Sequence, residues 1–406
     1  MNVPTAQRRI ASIDAIRGHQ RDWLEATRQE VLAGGHFAIL NADDFEEIFT
    51  VFDIPCLVIN YWNSIITFSE KKGDYYDKVL DEHGYLPNRF AHGFATALEP
   101  TNAPWGGLPK PTIIIGTTRD EAQMRVTELW AEAFGCECYP LDFSWVSQFS
   151  HPLPERWWEH HRDLSEGMID LKRLELRIEQ MKGLIAHLEV VTGKPFSLAR
   201  FREVMETLNQ QMDYWEMARD LVAAARPLPV SLRDQVALYQ VMWQRGAARN
   251  LELTKAYYEE VQGLIAEGAS CYPEERFRVY LATSGNDPQY HKYLRETHGG
   301  AIVSSRYSGI APMYARTIRN DDPLRALASR QLFLFDKEPV WEVAEAQRWG
   351  AQVLISQEPD GAIPSRYTEV CEAAGIAHLV LPVDADTPDI RARIDDFVKR
   401  RLPSVA

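Results

Sequence analysis

Features that define several protein classes are missing from this 406-residue chain. It has no run of 18 uninterrupted apolar residues, and its first residues, MNVPTAQRRIASIDAIRG, lack an apolar stretch of signal-peptide length. No basic run is present, and 44 Lys and Arg stand against 58 Asp and Glu, a formal net charge of -14. Duplex binding rests on Lys and Arg that neutralise phosphates, so we expect no nucleic-acid partner. Because no apolar run is long enough, we also expect no membrane span. We expect a cytoplasmic protein.

Cysteine is scarce and signature motifs are absent. The five cysteines are Cys56, Cys136, Cys138, Cys271 and Cys371, an odd number in mostly apolar contexts, which argues against a disulfide framework. Cys136 and Cys138 form one close pair, but no further Cys or His stands at the spacing of a four-ligand metal site. GxSxG, P-loop, HExxH and GxGxxG are also missing. Serine hydrolase, NTPase, zincin and simple dinucleotide-binding functions therefore lose their usual support.

Strands alternating with helices occupy both ends of the chain. With 45% hydrophobic and 25% charged residues, the composition is that of a globular protein long enough for two or three domains. Alternation of this kind favours parallel sheets. We predict an α/β fold of two Rossmann-like parallel-sheet lobes with an intervening helical segment. The predicted divisions are residues 1–155 for an N-terminal helix and the first lobe, 156–270 for the helical segment and 271–406 for the second lobe.

One stretch, RFRVYLATSGNDPQYHKYLRETHGGAIVSSRYSG, organises the second lobe. Residues 277–282 read as a buried strand, and the turn after them leads into a helix capped by Asp287 with proline at its first position. Gly299 and Gly300 end that helix before a second strand begins at Ala301. Ligands of open α/β sheets bind beyond the carboxyl ends of the strands, so the residues that follow the two strands should line one crevice. The alternative is that these are only well-formed strand-to-helix turns.

Specific strings in the chain resemble a known family. PKPTIIIGTTRDEAQ, LIAHLEVVTGKPFSLARFREVMETLNQ, GGAIVSSRYSG and DDPLRAL are similar to segments in the large subunits of the 2-hydroxyacyl-CoA dehydratase and benzoyl-CoA reductase family, and more closely to the reductase's B-type subunit. The resemblance implies a two-lobed protein that pairs with a homologous second subunit and binds an acyl-CoA thioester, in anaerobic aromatic or hydroxy-acid metabolism. It also implies [4Fe-4S] clusters fed by an ATP-driven activator protein.

This sequence departs from the family at the cysteines that ligate the family's clusters. The three positions that carry them fall near Phe90, Asp120 and Gly361 in this sequence, and none of these places holds a cysteine. Thiolate is the ligand that an iron-sulfur cluster needs. His92, Asp120, Glu358 and Asp360 make no recognised cluster pattern. We therefore expect this chain to bind no metal and no iron-sulfur cluster, with acyl-CoA as its ligand.

With the cluster set aside, the crevice remains as the candidate site. Asp120, Glu358 and Asp360 are the candidate catalytic residues, because a carboxylate in an apolar crevice can have its pKa raised into a useful range. An Arg or a helix N-terminus there could stabilise an enolate-like oxygen on a thioester. The candidate substrate-binding residues are Arg119, Ser284, Gly285, Ser304, Ser305, Arg306 and Tyr307. For Arg306, a structural pairing with a surface acid is the alternative.

Three functions stay open on these residues. The first is a cluster-free subunit of a heteromeric acyl-CoA dehydratase or reductase-like enzyme that binds the thioester or completes a partner's active site. The second is a non-catalytic structural partner subunit, and the third is a stand-alone, redox-independent acyl-CoA lyase. The 11 Trp, 16 Tyr and 16 Phe predict a dimer or heterodimer with an aromatic-rich interface from the helical or first-lobe surface.

Overall fold

The computed structural model describes most of the chain. The described residues are 9–41, 45–117, 121–142, 156–163, 170–272, 274–282, 288–331, 339–358, 365–382 and 384–402. Within these ranges, no helix is both long and apolar enough to cross a bilayer.

The first lobe is built on a four-stranded parallel sheet in the order β2-β1-β3-β4. Its strands are β1 (Ala38–Leu40), β2 (Cys56–Val58), β3 (Ile113–Thr117) and β4 (Glu137–Leu141). Its helices are α1 (Ala11–Leu32), α2 (Glu46–Val51), α3 (Ile59–Ser64), α4 (Gly73–Glu82), α5 (His92–Leu98) and α6 (Glu121–Phe134), with a π-helix over Ile65–Ser69. The first three strands are buried along their whole length, as expected where helices cover a parallel sheet.

Among the described residues, four α-helices lie between the two sheets in sequence: α7 (Leu171–Thr192), α8 (Leu198–Ala224), α9 (Leu232–Ala237) and α10 (Ala248–Ala266). Their ends follow local chemistry. The Asp170 carboxylate accepts hydrogen bonds from the first amides of α7, and Gly193 ends that helix with φ 66°, a left-handed conformation that glycine adopts without strain. Ser197 then caps α8 through the amide of Arg200. The stop at Gly193 and the cap at Ser197 follow the pattern expected of the sequence.

The second lobe repeats the topology of the first. Its parallel sheet has the order β6-β5-β7-β8. The strands are β5 (Phe277–Leu281), β6 (Gly300–Ser305), β7 (Val353–Gln357) and β8 (Ala377–Leu381). The helices are α11 (His291–His298), α12 (Arg306–Ile310), α13 (Pro323–Gln331), α14 (Pro339–Arg348), α15 (Thr368–Ala373) and α16 (Pro388–Arg401). The predicted α/β class, with two parallel-sheet lobes and an intervening helical segment, is confirmed. The domain limits at 155 and 270 stay a prediction.

The start of α11 differs from the sequence prediction. The helix begins at His291 rather than after a cap at Asp287, and Asp287 lies outside the described residues. A turn intervenes in which the His291 amide donates to the Pro288 carbonyl. That turn is held from a distant segment, because the Gln289 amide donates to the Asp384 carboxylate at 2.7 Å. The predicted end at Gly299 is confirmed, with φ 69° there.

Each sheet has one topological switch point. In the first lobe the chain runs from β1 outward to β2 and then returns to β3 on the other side of β1; β5, β6 and β7 do the same in the second lobe. In open α/β sheets, ligand crevices form at such a reversal, at the carboxyl ends of the two central neighbours. The topology therefore predicts ligand crevices beyond β1 and β3 in one lobe and beyond β5 and β7 in the other.

Two buried ion pairs connect the first lobe to the rest of the protein. Glu46 and Glu47 occupy the first turn of α2, and each carboxylate is almost fully buried. Glu46 lies 3.2 Å from Arg245, in the segment between α9 and α10. Glu47 receives both terminal nitrogens of Arg330, at the end of α13 in the second lobe. Burial opposes ionisation of Glu47, but the attraction and hydrogen bonds of Arg330 outweigh it, so the pKa of Glu47 is lowered.

We predict that Glu47→Gln destabilises the protein strongly, because it leaves the Arg330 guanidinium buried beside a neutral amide. Loss of one partner from a buried pair costs about 3–5 kcal/mol. The lowered pKa of Glu47 means that its contribution is present above the ordinary value of 4.5 and is lost as pH falls below it. The difference in unfolding free energy between the variant and the wild type, measured with urea, should therefore become smaller in acid.

Asp396→Asn is the matched control, because Asp396 and its partner Arg400 are both more than half exposed. Its effect should stay within about 1 kcal/mol. Equal losses of unfolding free energy from the two variants would contradict the importance of the Glu47–Arg330 pair.

Candidate functional site

The β6–α12 turn is built by serines. Ser304 and Ser305 end β6 and are fully buried. The Ser304 and Ser308 hydroxyls lie 2.7 Å apart, and the Ser308 oxygen accepts a hydrogen bond from the Ser305 amide at 3.1 Å. Ser304 thus helps to hold the sharp strand-to-helix turn that brings Arg306 and Tyr307 to the carboxyl edge of the sheet.

Arg306 is anchored in the protein rather than projecting freely. Its Nε donates to a Glu342 carboxylate oxygen at 2.8 Å. Its Nη2 donates to the Tyr367 hydroxyl at 2.6 Å and to the Ala282 carbonyl at 3.1 Å. The side chain is 20% exposed, whereas Glu342 is completely buried. The acid that pairs with Arg306 is therefore an interior one, bonded through Nε, while Nη2 bonds to the phenol and the carbonyl.

Glu342 and Tyr367 complete this cluster. The Tyr367 hydroxyl donates to the same Glu342 oxygen at 2.8 Å. Burial, and then the nearby Glu342 charge, raise the pKa of Tyr367 to about 12, so the phenol stays protonated. Burial opposes the charge on Arg306, but the attraction of Glu342 outweighs it and raises the pKa of Arg306. Glu342 is therefore held by two donors on one oxygen, and none of the described residues donates to its other, buried oxygen.

A second polar cluster surrounds Glu358, directly after β7. One Glu358 oxygen accepts hydrogen bonds from Ser356 at 3.0 Å and from Ser365 at 2.5 Å. The Ser356 hydroxyl also lies 2.9 Å from Nε2 of His378 on β8, and Nδ1 of that ring lies 3.2 Å from the Thr368 hydroxyl. Burial lowers the pKa of His378, although the Glu358 charge acts in the opposite direction. Glu358 is thus held at the carboxyl edge of the second sheet by neutral donors.

Stacked tyrosines link the carboxyl edges of the two sheets. The Tyr307 ring lies 4.3 Å from the buried Tyr239 ring, and Tyr239 meets Tyr61 edge-on at 6.1 Å. Tyr61 follows β2 by three residues, so the stack bridges the two lobes. Arg245 donates to the Tyr61 hydroxyl at 3.4 Å and also lies 4.1 Å from the Tyr314 ring. Tyr307 therefore contributes its ring to a contact between lobes.

Several predicted site residues lie outside the described residues: Arg119, Asp120, Ser284, Gly285 and Asp360. Their segments follow the described strands β3, β5 and β7, so their place in the sequence is beyond the carboxyl ends. Among the described candidates, the structure brings Ser304, Ser305, Arg306 and Tyr307 to one turn and places Glu358 after β7. Their catalytic and substrate-binding roles stay predictions.

Sequence reasoning missed the partners of these residues, which are Glu342, Ser356, Ser365, Tyr367 and His378. Two of them carried a usable signal. Ser356 interrupts the apolar strand VLIS, and His378 interrupts AHLVL, and a polar side chain inside such a run needs a hydrogen-bond partner. Glu342 carried a weaker one, as an acid between Trp341 and Val343 on a helix whose neighbours are buried.

The described residues do not fit an iron-sulfur cluster. All five cysteines are described, and they lie on β2, in or beside β4, in the segment between α10 and β5, and on α15. Burial raises the pKa of every one of these thiols, which disfavours the thiolate form. Within the described ranges, no three His, Cys, Asp or Glu side chains converge as a metal site would require. His92, near one expected ligand position, has both ring nitrogens engaged, with Thr67 and Asp77 at 2.9 Å each.

Comparison with known proteins gives a family and a partial relative. The family model described as 2-hydroxyglutaryl-CoA dehydratase, D-component, matches residues 46–399, well over half of the chain. The alpha subunit of (R)-2-hydroxyisocaproyl-CoA dehydratase from Clostridioides difficile is 26% identical over 119 residues. That alignment covers 29% of this chain and 29% of the relative, so it spans less than a third of either protein.

We predict that Tyr367→Phe destabilises the protein by about 1–3 kcal/mol, because Glu342 loses a buried donor and Arg306 loses an acceptor. Urea unfolding followed by tryptophan fluorescence measures the change. Tyr75→Phe is the matched control, since the Tyr75 hydroxyl bonds to Glu99 at an exposed site. A Tyr367→Phe variant as stable as the control would show that this cluster contributes little.

Proposed function

The chain belongs to the family of 2-hydroxyglutaryl-CoA dehydratase D-components, and we propose that it is a cluster-free subunit of a heteromeric enzyme of this kind, acting on or binding an acyl-CoA thioester. The observation that carries the proposal is the family match over residues 46–399, which includes the strands of both sheets except β1. The enzyme would be a 2-hydroxyacyl-CoA dehydratase or a benzoyl-CoA reductase-like enzyme of anaerobic aromatic or hydroxy-acid metabolism, located in the cytoplasm.

The second-lobe crevice supports acyl-CoA binding. Arg306 presents a partly exposed cation at the edge of the sheet, and the bonds to Glu342 and Tyr367 hold its planar group in one orientation. A fixed guanidinium suits a phosphate or a thioester oxygen. Glu358 supplies a carboxylate at the same edge for proton chemistry. Binding energy and proton transfer would thus come from the ends of β6 and β7, the two strands that flank β5.

The cluster-free part of the proposal rests on the donor set. Five thiols that burial keeps protonated, and a His92 ring that is already hydrogen-bonded at both nitrogens, provide no set of iron ligands in the described part of the chain. A homologous partner subunit would hold whatever cluster the enzyme uses. This chain would bind the thioester or complete the partner's site.

Four exposed large side chains of the first lobe support a heterodimer. Phe68, Tyr75, Leu86 and Phe90 are each more than a third exposed and fall within 23 consecutive residues of the chain, 68–90. Exposed apolar side chains concentrated in one segment are typical of contact surfaces. We expect the partner subunit to cover this segment.

A structural subunit without chemistry is the second candidate, and one observation favours it. Arg306, the predicted ligand-binding cation, already has an interior carboxylate, a phenol and a carbonyl as partners. Such an Arg can be a packing element alone. A stand-alone lyase would instead depend on Asp120, Glu358 and Asp360, and turnover of a CoA thioester by the isolated chain separates it from both subunit functions.

We predict that the purified chain contains no stoichiometric iron or acid-labile sulfide, even when it is prepared without oxygen, because its thiols do not converge. Colorimetric iron and sulfide assays measure this. The complex isolated with its co-expressed partner serves as the comparison, and there the partner is expected to supply any iron. Stoichiometric iron and sulfide in the isolated chain would overturn the cluster-free proposal.

We predict that Arg306→Lys weakens acyl-CoA binding about tenfold, or roughly 1.4 kcal/mol, because an ammonium keeps the charge but loses the planar fork. Lysine is preferred to glutamate, which would set a second carboxylate against buried Glu342. Calorimetric titration with aromatic and aliphatic CoA thioesters measures the affinities. Arg400→Lys, on the exposed face of α16, is the control. Identical affinities for Arg306→Lys and wild type would remove Arg306 from the binding site.

A further inference from the structure

A chain of hydrogen bonds runs from the surface of the second lobe to Glu358. It begins at the exposed Thr368 hydroxyl on α15, passes through the half-buried ring of His378 and the buried Ser356 hydroxyl, and ends on a Glu358 oxygen. The three links measure 3.2, 2.9 and 3.0 Å. Hydrogen bonds therefore connect a solvent-facing group to a carboxylate at the crevice without a gap.

The donor and acceptor of each hydrogen bond between Thr368 and Glu358 follow from the protons that these groups carry. An ionised carboxylate only accepts, so the single proton of Ser356 points at Glu358. The Ser356 oxygen must then accept from His378, which places the ring proton on Nε2 in the neutral imidazole. Nδ1 is left as an acceptor for the Thr368 hydroxyl. All donors thus point the same way, toward Glu358.

We propose that Thr368, His378 and Ser356 form a proton relay. The relay returns a proton from solvent to Glu358 after Glu358 has given one to a leaving group in the crevice. In that transfer the Ser356 O–H bond breaks as a Glu358 O–H bond forms. The His378 Nε2–H bond breaks to restore Ser356, and Nδ1 takes a proton from solvent through Thr368. One proton enters at the surface and one arrives on Glu358, so charge and atoms balance.

The relay rests on the proposed function, because loss of water from a 2-hydroxyacyl thioester needs a proton on the departing hydroxyl. General acids must be reprotonated in each turnover, and a bound thioester would separate Glu358, which is only partly exposed, from bulk solvent. The lowered pKa of His378 suits the role, since the ring is neutral near pH 7 and both accepts and donates. His378 and Ser356 are positioning and proton-conducting residues rather than groups that touch substrate.

The simpler alternative is a clasp, in which the hydrogen bonds serve only to join Glu358 to Ser365. Ser365 donates to the same Glu358 oxygen as Ser356 does, from seven residues further along the chain. A clasp needs both serines and gives no role to the imidazole. The two serines therefore form a matched pair of variants, because only Ser356 also contacts His378.

The first experiment follows the titration of His378 by NMR of the full chain labelled on its 11 histidines, with His378→Gln to assign the signal. The groups around the ring are Glu358, Ser356, Thr368 and the Tyr367 ring at 6.0 Å. We expect Glu358→Gln to lower the pKa of His378 further, because the carboxylate's attraction is lost, whereas Asp396→Asn leaves it unchanged. If the pKa of His378 is the same in Glu358→Gln as in the wild type, the relay is overturned.

The second experiment uses the complex with its partner subunit and a panel of 2-hydroxyacyl-CoA thioesters. His378→Ala should reduce kcat about tenfold or more with little change in KM, and added imidazole should restore the rate in a concentration-dependent way. Ser356→Ala should lower kcat more than Ser365→Ala. Equal losses from the two serines, or a His378→Ala complex that turns over at the wild-type rate, would overturn the relay alone. A wild-type complex inactive on every thioester would instead overturn the proposed function, and the relay's catalytic role with it.

Discussion

The protein depends on keeping two carboxylates charged in its interior. Glu46 and Glu47 follow the central strand of the first sheet and face inward, where Arg245 and Arg330 neutralise their charges. A buried ion pair gains little over an apolar pair, but the loss of one partner leaves an uncompensated charge. Because Arg245 comes from the segment between the middle helices and Arg330 from the second lobe, the two pairs join the first lobe to both other parts of the protein. The tyrosine contacts join the same parts at the sheet edges.

The same arrangement recurs in the second lobe on a smaller scale. Arg306, Glu342 and Tyr367 satisfy one another at a strand end where the family resemblance implies a bound acyl-CoA and, nearby, a metal cluster. Guanidinium, carboxylate and phenol groups there form one hydrogen-bonded unit that joins α12, α14 and the start of α15. In both lobes, therefore, a buried acid is neutralised by an arginine from another element of the fold.

The sequence predicts the fold well because its signals are local. Short apolar runs alternate with helical periodicity at both ends, and Gly193 and Ser197 mark a helix end and a cap through contacts a few residues away. The predicted start of α11 at Pro288 was wrong for the opposite reason, since Asp384 bonds to the turn before α11, at Gln289, from 95 residues along the chain. The partners of Arg306 and Glu358 could not be found for the same reason. Residue types predict that Arg306 needs an acid, but only the packing of α14 selects Glu342.

The two lobes share one strand order, yet they use their carboxyl edges differently. In the first lobe the acids beyond the central strand are turned into the protein and neutralised by buried arginines. In the second lobe Glu358 is bound by neutral hydroxyl donors and keeps a hydrogen-bonded route to the surface through His378. An acid locked to a guanidinium is a poor proton donor, because the cation favours its ionised form, whereas an acid that only hydroxyl groups bind can gain and lose a proton. Between these two described edges, the first is therefore suited to holding the lobes together and the second to proton chemistry.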